Sequence, residues 1–158
     1  MRALVQRVVH ASIVIDGVAG GEIGIGLVVL LGVHRNDTSD EAKKLAQKVL
    51  GLRIFNDEAG KMNLALESVT DPTRGLLVVS NFTLYGDGIT SRRPSFTASA
   101  PFDQGERLYE EFLSELRKGN ERIVTGKFGA DMQIALVNDG PVTLMLEVLA
   151  RSEVGTSA

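Results

Sequence analysis

The 158-residue sequence contains no cysteine and no tryptophan, and its only histidines are His10 and His34. Without cysteine the chain has no disulfides and no thiol nucleophile, and two histidines alone make a structural zinc site close to excluded. Aromatic residues are only 5% of the chain, so the core has to be built from Val, Leu and Ile. No stretch approaches the roughly 20 apolar residues of a membrane span, and the first residues lack the apolar core of a signal peptide. These absences predict a cytoplasmic protein.

An excess of positive charge is also missing, because 20 Asp and Glu outnumber 17 Lys and Arg, for a net charge of −3. A general nucleic-acid binder usually has a basic surface, so any contact with RNA is expected to be local, modest and salt-sensitive. The length suits one globular domain, expected over residues 1–149 and followed by a disordered tail over residues 150–158.

Apolar runs predict two strands that are buried on both faces, at residues 26–33 and 75–84. Residues 2–16 alternate between apolar and polar, which predicts one strand, or two broken near His10. Asp16-Gly17 then predicts a hairpin turn.

Two segments have helical spacing. Thr38 and Glu41 form a capping-box pattern at the start of the first, and the second opens at Pro101 or Asp103 and ends at Gly119. Further strands are expected at residues 53–55, 121–127, 131–138 and 142–149. This order predicts an α/β fold, a single layered domain (α/β/β) with mostly antiparallel or mixed sheets and two covering helices.

The histidines and the glycine-rich segments do not form a known catalytic or phosphate-binding pattern. Neither histidine has a Ser or Asp at triad spacing, which favours a surface or strand-end histidine over a catalytic one at both positions. Gly24 and Gly26 do not lead into a helix that carries a Lys-Ser/Thr pair, so we interpret them as turn residues.

The segment SNFTLYGD (80–87) lies where a buried strand ends, and ligands collect at such strand ends in layered α/β folds. Ser80 and Thr83 supply hydroxyls and Asn81 an amide. Backbone N–H groups, freed as the ladder ends, can hold an oxyanion. A polar strand terminus without function is the alternative on spacing alone.

The segment SRRPSF (91–96) is the one concentrated positive feature of the sequence. Arg92 and Arg93, beside a proline and a phenylalanine, could clamp a phosphate or stack on a base. A solvated loop is an equal alternative.

The segment NDGPVT (138–143) lies between two alternating runs and has the composition of a turn. Gly140 is followed directly by Pro141, which cannot donate to a strand ladder and therefore resists burial in a sheet.

Taken together, several segments are similar to the D-aminoacyl-tRNA deacylase (D-tyrosyl-tRNA deacylase) family from Met1 to about Val148. They occur in the family's order. The matching stretches are MRALVQRV, GEIGIGLVVLLGV, LRIFNDEAGKMN, VVSNFTLYGD, RRPSFTASAP and TGKFGADMQIALVNDGPVT. The family's Asn-x-Gly-Pro-Val-Thr signature is intact over residues 138–143.

The resemblance implies a homodimer that hydrolyses the ester of D-aminoacyl-tRNA without a cofactor or a metal. It implies a cis peptide between Gly140 and Pro141, which costs only about 0.5–1 kcal/mol over trans at an X-Pro bond. The loop that carries this peptide, with Asn138, Val142 and Thr143, would enter the partner's active site. There it would reject L-side chains, so glycyl-tRNA should also be hydrolysed.

The implied chemistry uses no side-chain nucleophile, because the terminal ribose hydroxyl of the tRNA assists the attacking water. The N–H groups of Phe82 and Thr83 are expected to form an oxyanion hole, and the Ser80 and Thr83 hydroxyls to hold the α-amino group or order the pocket. The tRNA end would be contacted by Arg92, Arg93 and Lys61.

One position departs from the family, which usually has Gln where this chain has Asn81. The shorter side chain leaves open a silent homodimer that only binds the tRNA end. A second alternative is an editor of achiral or small mischarged residues, for which a trans Gly-Pro peptide and a wider pocket are expected.

Overall fold

A computed structural model of the chain describes residues 1–89 and 92–150. The described residues form eight strands, two α-helices and two short 3₁₀ helices. The strands are β1 (Arg2–Ile15), β2 (Val18–Ile23), β3 (Gly26–Gly32), β4 (Arg53–Asn56), β5 (Met62–Ala65), β6 (Gly75–Ser80), β7 (Ile123–Thr125) and β8 (Met132–Glu147). The helices are α1 (Ser39–Leu50) and α2 (Phe102–Leu116), and the 3₁₀ helices are Leu66–Ser68 and Phe82–Tyr85. In this part of the chain, no helix is long and apolar enough to cross a membrane.

Strand β1 organises the main sheet, because β8 runs antiparallel along one edge of it while β2 and β3 share the other edge. Parallel pairing then extends the sheet from β3 to β6 and from β6 to β7. Strands β4 and β5 form a separate antiparallel hairpin. The predicted hairpin turn is confirmed, with both Asp16 (φ 50°) and Gly17 (φ 80°) in the left-handed region.

Two hydrophobic clusters lie on opposite faces of this sheet. The larger one joins the first residues of β1 and alternate residues of β3 and β6 to both helices. The smaller one packs the second half of β1, β2 and the start of β8 against the other face of β3 and β6. The layered α/β/β prediction is therefore confirmed.

The residue before β1 is held by buried hydrogen bonds beside the turn that precedes α1. The Met1 amine donates to Asp37 Oδ1 at 2.7 Å and to the carbonyl of Val148 at 2.6 Å, and His34 N donates to Asp37 Oδ2 at 2.6 Å. Burial raises the pKa of Asp37 above its usual value, although the Met1 amine and the His34 N–H act to lower it.

Several predicted boundaries were wrong. Residues 131–138 and 142–149 are not two strands, because β8 continues through the Gly-Pro segment and pairs with β1 on both sides of it. The predicted strand over 75–84 ends at Ser80 and gives way to a 3₁₀ helix, and α2 ends at Leu116 with Arg117 as its C-cap. Of the predicted tail, Ala150 is buried, and residues 151–158 lie outside the described residues.

Candidate active site

A cavity of about 650 Å³ opens where β3 and β6 end. Its wall combines the carboxyl end of β6, the loop before α2, the first turn of α2 and the turn after β7. Helix α2 is held against β6 because the Tyr109 hydroxyl donates to the carbonyl of Val78 at 2.9 Å, and burial strongly raises the pKa of that phenol. The cavity therefore lies at the strand end that the sequence indicated and is bordered by packed elements.

Phenylalanine rings dominate the apolar part of the wall. Phe82 and Phe96 meet edge-to-face with centroids 5.1 Å apart, and Phe102 and Phe128 do so at 5.0 Å. Phe82 is 59% exposed and Phe102 is 58% exposed, so ring surface remains free at the rim. Free aromatic faces of this kind suit a planar heterocyclic ring.

Ser80, the last residue of β6, and Asn81 and Phe82, which follow it, line the cavity. Asn81 N donates to the carbonyl of Leu31 at 2.7 Å, which completes the ladder. The next N–H, that of Phe82, has no acceptor among the described residues. Ser99 Oγ fixes the next peptide group, which joins Phe82 to Thr83, by donating to the Phe82 carbonyl at 2.9 Å.

Thr83 does not line the cavity. Its N–H donates to Asn81 Oδ1 at 3.2 Å, and its hydroxyl donates to the same oxygen at 2.5 Å. The two predicted oxyanion donors therefore differ, since the Phe82 N–H is open and the Thr83 N–H is occupied.

The Gly-Pro segment forms a large irregular β-bulge in β8. Asn138 lies opposite Val8 and Thr143 opposite Gln6, so residues 139–142 project where β1 contributes a single residue. The bulge is closed by Asn138 Nδ2, which donates to the carbonyl of Arg7 at 3.1 Å and to the carbonyl of Val142 at 2.9 Å. Gly140 and Pro141 are exposed at its tip, and the peptide bond between them is cis.

Arg7 braces the bulge from inside, a role that the sequence analysis missed. It is only 6% exposed, and its Nη1 donates to the carbonyl of Ile54 in β4. Its Nε lies 2.8 Å from Asp139 Oδ2 without hydrogen-bond geometry. A Cβ on Gly140 would lie 3.1 Å from Arg7 Nη2, and the φ of Gly140 is +117°. The available signal was an arginine in the inward-facing phase of the alternating strand, two residues after Val5.

The remaining predicted residues are not brought together with the cavity. Gly140, Pro141 and Lys61 do not line it in this chain. Lys61 lies in the β4–β5 turn, and Arg92 and Arg93 are exposed in the loop that Asp87 and Ser95 close. Both histidines also lie outside the cavity wall. Within residues 1–89 and 92–150, no three His, Asp or Glu side chains come close enough to hold a metal ion.

A family model described as D-Tyr-tRNA(Tyr) deacylase matches residues 4–147. The chain belongs to this family. It is 51% identical over 147 residues to a D-aminoacyl-tRNA deacylase of Thermosipho africanus, which covers 93% of this chain and 97% of that one. It is 52% identical to the D-aminoacyl-tRNA deacylase of Geobacter metallireducens, which covers 93% and 95%.

Two solved structures share the family's fold. One is described as a c-Myc DNA unwinding element binding protein, with a TM-score of 0.84 and 43% identity over 95% of this chain and all of that one. The other is described as a probable eukaryotic D-amino acid tRNA deacylase. It has a TM-score of 0.76 over 93% and 98%, and at 17% identity it supports the fold alone.

Proposed function

We propose that this protein hydrolyses the ester bond of D-aminoacyl-tRNA in the cytoplasm, releasing the free D-amino acid and the tRNA. The observation that carries the proposal is a strand-end cavity lined by Ser80, Asn81 and Phe82, in a chain about half identical to D-aminoacyl-tRNA deacylases. The same site acts on mischarged glycyl-tRNA, because glycine has no side chain to reject.

In the proposed reaction, water adds to the ester carbonyl carbon and negative charge develops on the carbonyl oxygen. The Phe82 N–H donates to that oxygen, and losing one such donor typically costs about 2.7–4 kcal/mol of barrier. The bond between the carbonyl carbon and the ribose oxygen then breaks, and the ribose oxygen takes up a proton. The neighbouring hydroxyl of the terminal ribose relays the proton from the water. Ser80, which lines the cavity, holds the α-amino group.

The phenylalanine wall holds the terminal base of the tRNA. Phe82 with Phe96, and Phe102 with Phe128, leave ring surface exposed around the cavity. Base–aromatic stacking contributes about 1–3 kcal/mol per base. Such contacts need no positive surface, which reconciles an RNA substrate with a net charge of −3.

The working form is a homodimer in which the partner subunit's Gly140 and Pro141 complete the site. In one chain these residues project from β8 and do not reach the cavity. A bulge that is exposed, braced by Arg7 and closed by Asn138 suits a wall that a neighbouring molecule uses. The wall excludes a side chain on one face of the bound Cα, so selection acts by repulsion of L-substrates.

Arg92 and Arg93 contact the tRNA near the acceptor end. Both are exposed in a loop that adjoins the cavity through Phe96. Lys61 lies on the hairpin that contacts Arg7. Lys61 therefore contacts the tRNA on the side of the molecule that carries the Gly-Pro bulge.

Hydrolysis of D-tyrosyl-tRNA, L-tyrosyl-tRNA and glycyl-tRNA by the purified protein tests the proposal. We expect the D-tyrosyl and glycyl esters to be cleaved and the L-tyrosyl ester to be spared. Binding of tRNA without acceleration over spontaneous ester loss would support the silent-binder alternative. Cleavage of small mischarged residues without a preference for D-tyrosine would support the editor alternative. Nothing beyond the Asn81 substitution favours the silent binder.

A further inference from the structure

The 3₁₀ helix Phe82–Tyr85 begins with a residue of the cavity wall and is held at its other end by Arg2. Arg2 Nη1 donates to the carbonyl of Leu84 at 3.2 Å, and its guanidinium carbon lies 4.5 Å from the centre of the Tyr85 ring. A cation over the face of an aromatic ring is attracted by the quadrupole of that ring. Arg2 itself does not line the cavity. Any effect of Arg2 on the cavity is therefore exerted through this helix.

The packing of the helix on the sheet explains why Arg2 reaches it. Arg2 in β1 pairs with Gly32 in β3, so the two residues lie side by side in the sheet. A Cβ on Gly32 would lie 3.0 Å from Leu84 Cβ and 3.2 Å from Tyr85 Cδ2. The helix therefore packs directly on the backbone of Gly32, which glycine permits because it has no side chain. Arg2 is the neighbouring side chain in that row of the sheet.

Arg2 also connects the helix to β8. On its other side in the sheet Arg2 pairs with Glu147, and Arg2 Nε donates to Glu147 Oε1 at 2.5 Å. One guanidinium therefore binds a carboxylate of β8 and a carbonyl of the helix at the same time. The planar fork of arginine carries five N–H donors and suits two such partners, whereas the compact ammonium of lysine suits one.

We propose that Arg2 is a positioning residue of the active site, which holds the 3₁₀ helix, and with it Phe82, in the geometry that ester hydrolysis requires. The inference rests on the proposed function, because there Phe82 supplies both an N–H and a ring to the substrate. Misplacing a reacting group by about 1 Å can cost about a hundredfold in rate. Loss of Arg2 should therefore lower kcat. The rings of Phe102 and Phe128 do not depend on Arg2, so KM should change little.

Arg2→Met removes the charge and the donors and keeps an unbranched stem. We expect its kcat on D-tyrosyl-tRNA to fall at least about tenfold and its KM to change by less than about threefold. Arg2→Lys keeps a cation near Tyr85 and should recover part of the loss. An unchanged kcat in Arg2→Met would overturn the inference. A rise in KM at constant kcat would also overturn it, because Arg2 would then be a direct contact with the tRNA.

Gln6→Ala is the matched control, because it removes another contact between the side chains of β1 and β8. Gln6 Nε2 donates to Thr143 Oγ1 at 3.1 Å, and among the described residues Gln6 forms no side-chain hydrogen bond with the 3₁₀ helix. We expect its kcat to stay within about twofold of the wild-type value. An equal fall of kcat in Arg2→Met and Gln6→Ala would show a general effect on the sheet and contradict the inference.

The link to β8 is tested through Glu147. Glu147→Ala removes the partner of Arg2 Nε and should lower kcat by about two- to threefold. The double variant Arg2→Met/Glu147→Ala should have the kcat of Arg2→Met, because the effect of Glu147 passes through Arg2. Losses that multiply in the double variant would show that Glu147 acts independently of Arg2, against the proposed link.

The amide NMR signal of Phe82 gives a readout that does not require activity. Arg2→Met should shift this signal, and Gln6→Ala should leave it in place. An unmoved Phe82 signal in Arg2→Met would overturn the inference whether or not the substrate is hydrolysed. Failure of the wild-type protein to hydrolyse any aminoacyl-tRNA would overturn the proposed function, and the Phe82 signal would still decide whether Arg2 holds the helix.

Discussion

At the scale of single residues, the Gly-Pro bulge depends on one amide. Asn138 Nδ2 has two N–H donors and uses them on two backbone carbonyls, those of Arg7 in β1 and Val142 on the far side of the bulge. A side chain with a single donor or none cannot satisfy both carbonyls. The amide thus ties the two ends of the projecting segment to the strand from which it departs.

Asn138→Ala should loosen the bulge and with it the proposed chiral wall. Two half-buried carbonyls would lose their partner, which should lower the free energy of unfolding by about 1–3 kcal/mol. The ratio of D-tyrosyl- to L-tyrosyl-tRNA hydrolysis should fall at least tenfold. The matched control is Gln6→Ala, which removes only the exposed bond between Gln6 Nε2 and Thr143 Oγ1 at the same edge. An unchanged ratio in Asn138→Ala would show that the bulge is not the selective element.

Thr83→Ala tests whether the threonine acts through its side chain. The hydroxyl donates to Asn81 Oδ1, does not line the cavity, and has no base among its described partners to activate it. We expect the variant to keep at least about a third of the wild-type kcat, since its backbone N–H remains. Complete loss of D-tyrosyl-tRNA hydrolysis in a folded variant would instead make Thr83 a nucleophile.

At the scale of elements, α1 shows how local chemistry sets a boundary. Thr38 Oγ1 accepts from Asp40 N at 3.3 Å, and Glu41 Oε2 accepts from Thr38 N at 2.7 Å. Burial acts to raise the pKa of Glu41, but the hydrogen bonds from the Thr38 hydroxyl and backbone outweigh it and hold the pKa below its usual value. The carboxylate is therefore the form that the native state prefers.

Glu41→Gln should flatten the acid limb of the stability profile. Because the folded pKa lies below the unfolded value of 4.5, ionised Glu41 contributes stability above that pH. The contribution disappears as the pH falls through the folded pKa. Glutamine keeps a capping acceptor but does not titrate. Urea unfolding at pH 6 and at about pH 3 should show a smaller loss of stability in the variant; an equal or larger loss would contradict the assignment.

The elements that the sequence predicted well are those specified by local signals. The capping box located α1, and unbroken apolar runs located β3 and the buried part of β6. Strand β8 was missed as one element because Asn-Asp-Gly-Pro has the local signal of a turn, whereas long-range pairing with β1 continues on both sides of it. Tertiary pairing overrode the local preference there.

The candidate site was likewise predictable only where it depends on local sequence signals. The polar segment after a buried strand indicated Ser80, Asn81 and Phe82 as site residues, and these three residues line one cavity. The sequence could not show that the Thr83 N–H is occupied, because that depends on the side-chain torsions of Asn81. Arg7 was missed since its partner Ile54 lies 47 residues away along the chain, and its partner Asp139 lies much further still.

At the scale of the whole molecule, one edge of the sheet is left uncovered. Strand β8 runs for 16 residues and, among the described residues, pairs only with β1. Exposed apolar side chains lie along these two strands. They are Val9, Val137, Leu144 and Met145. A long apolar edge strand is a pairing surface that soluble proteins usually cover, and the Gly-Pro bulge projects from the same strand. The uncovered edge is therefore the surface on which the proposed homodimer would form.

Met145→Lys tests whether that homodimer is required. Met145 is 51% exposed on β8, so lysine should be tolerated in one chain but should repel its counterpart across a dimer interface. The control is Val18→Lys, whose residue is 69% exposed on β2 away from the bulge. Sedimentation should show that Met145→Lys is a monomer. Thermal unfolding should give it an unfolding temperature close to that of the control. The monomer should lose its preference for D-tyrosyl- over L-tyrosyl-tRNA, because its cavity lacks the partner subunit's Gly140 and Pro141. A monomeric variant that still separated the two enantiomers would remove the need for a partner, and the selective wall would then have to lie within a single chain.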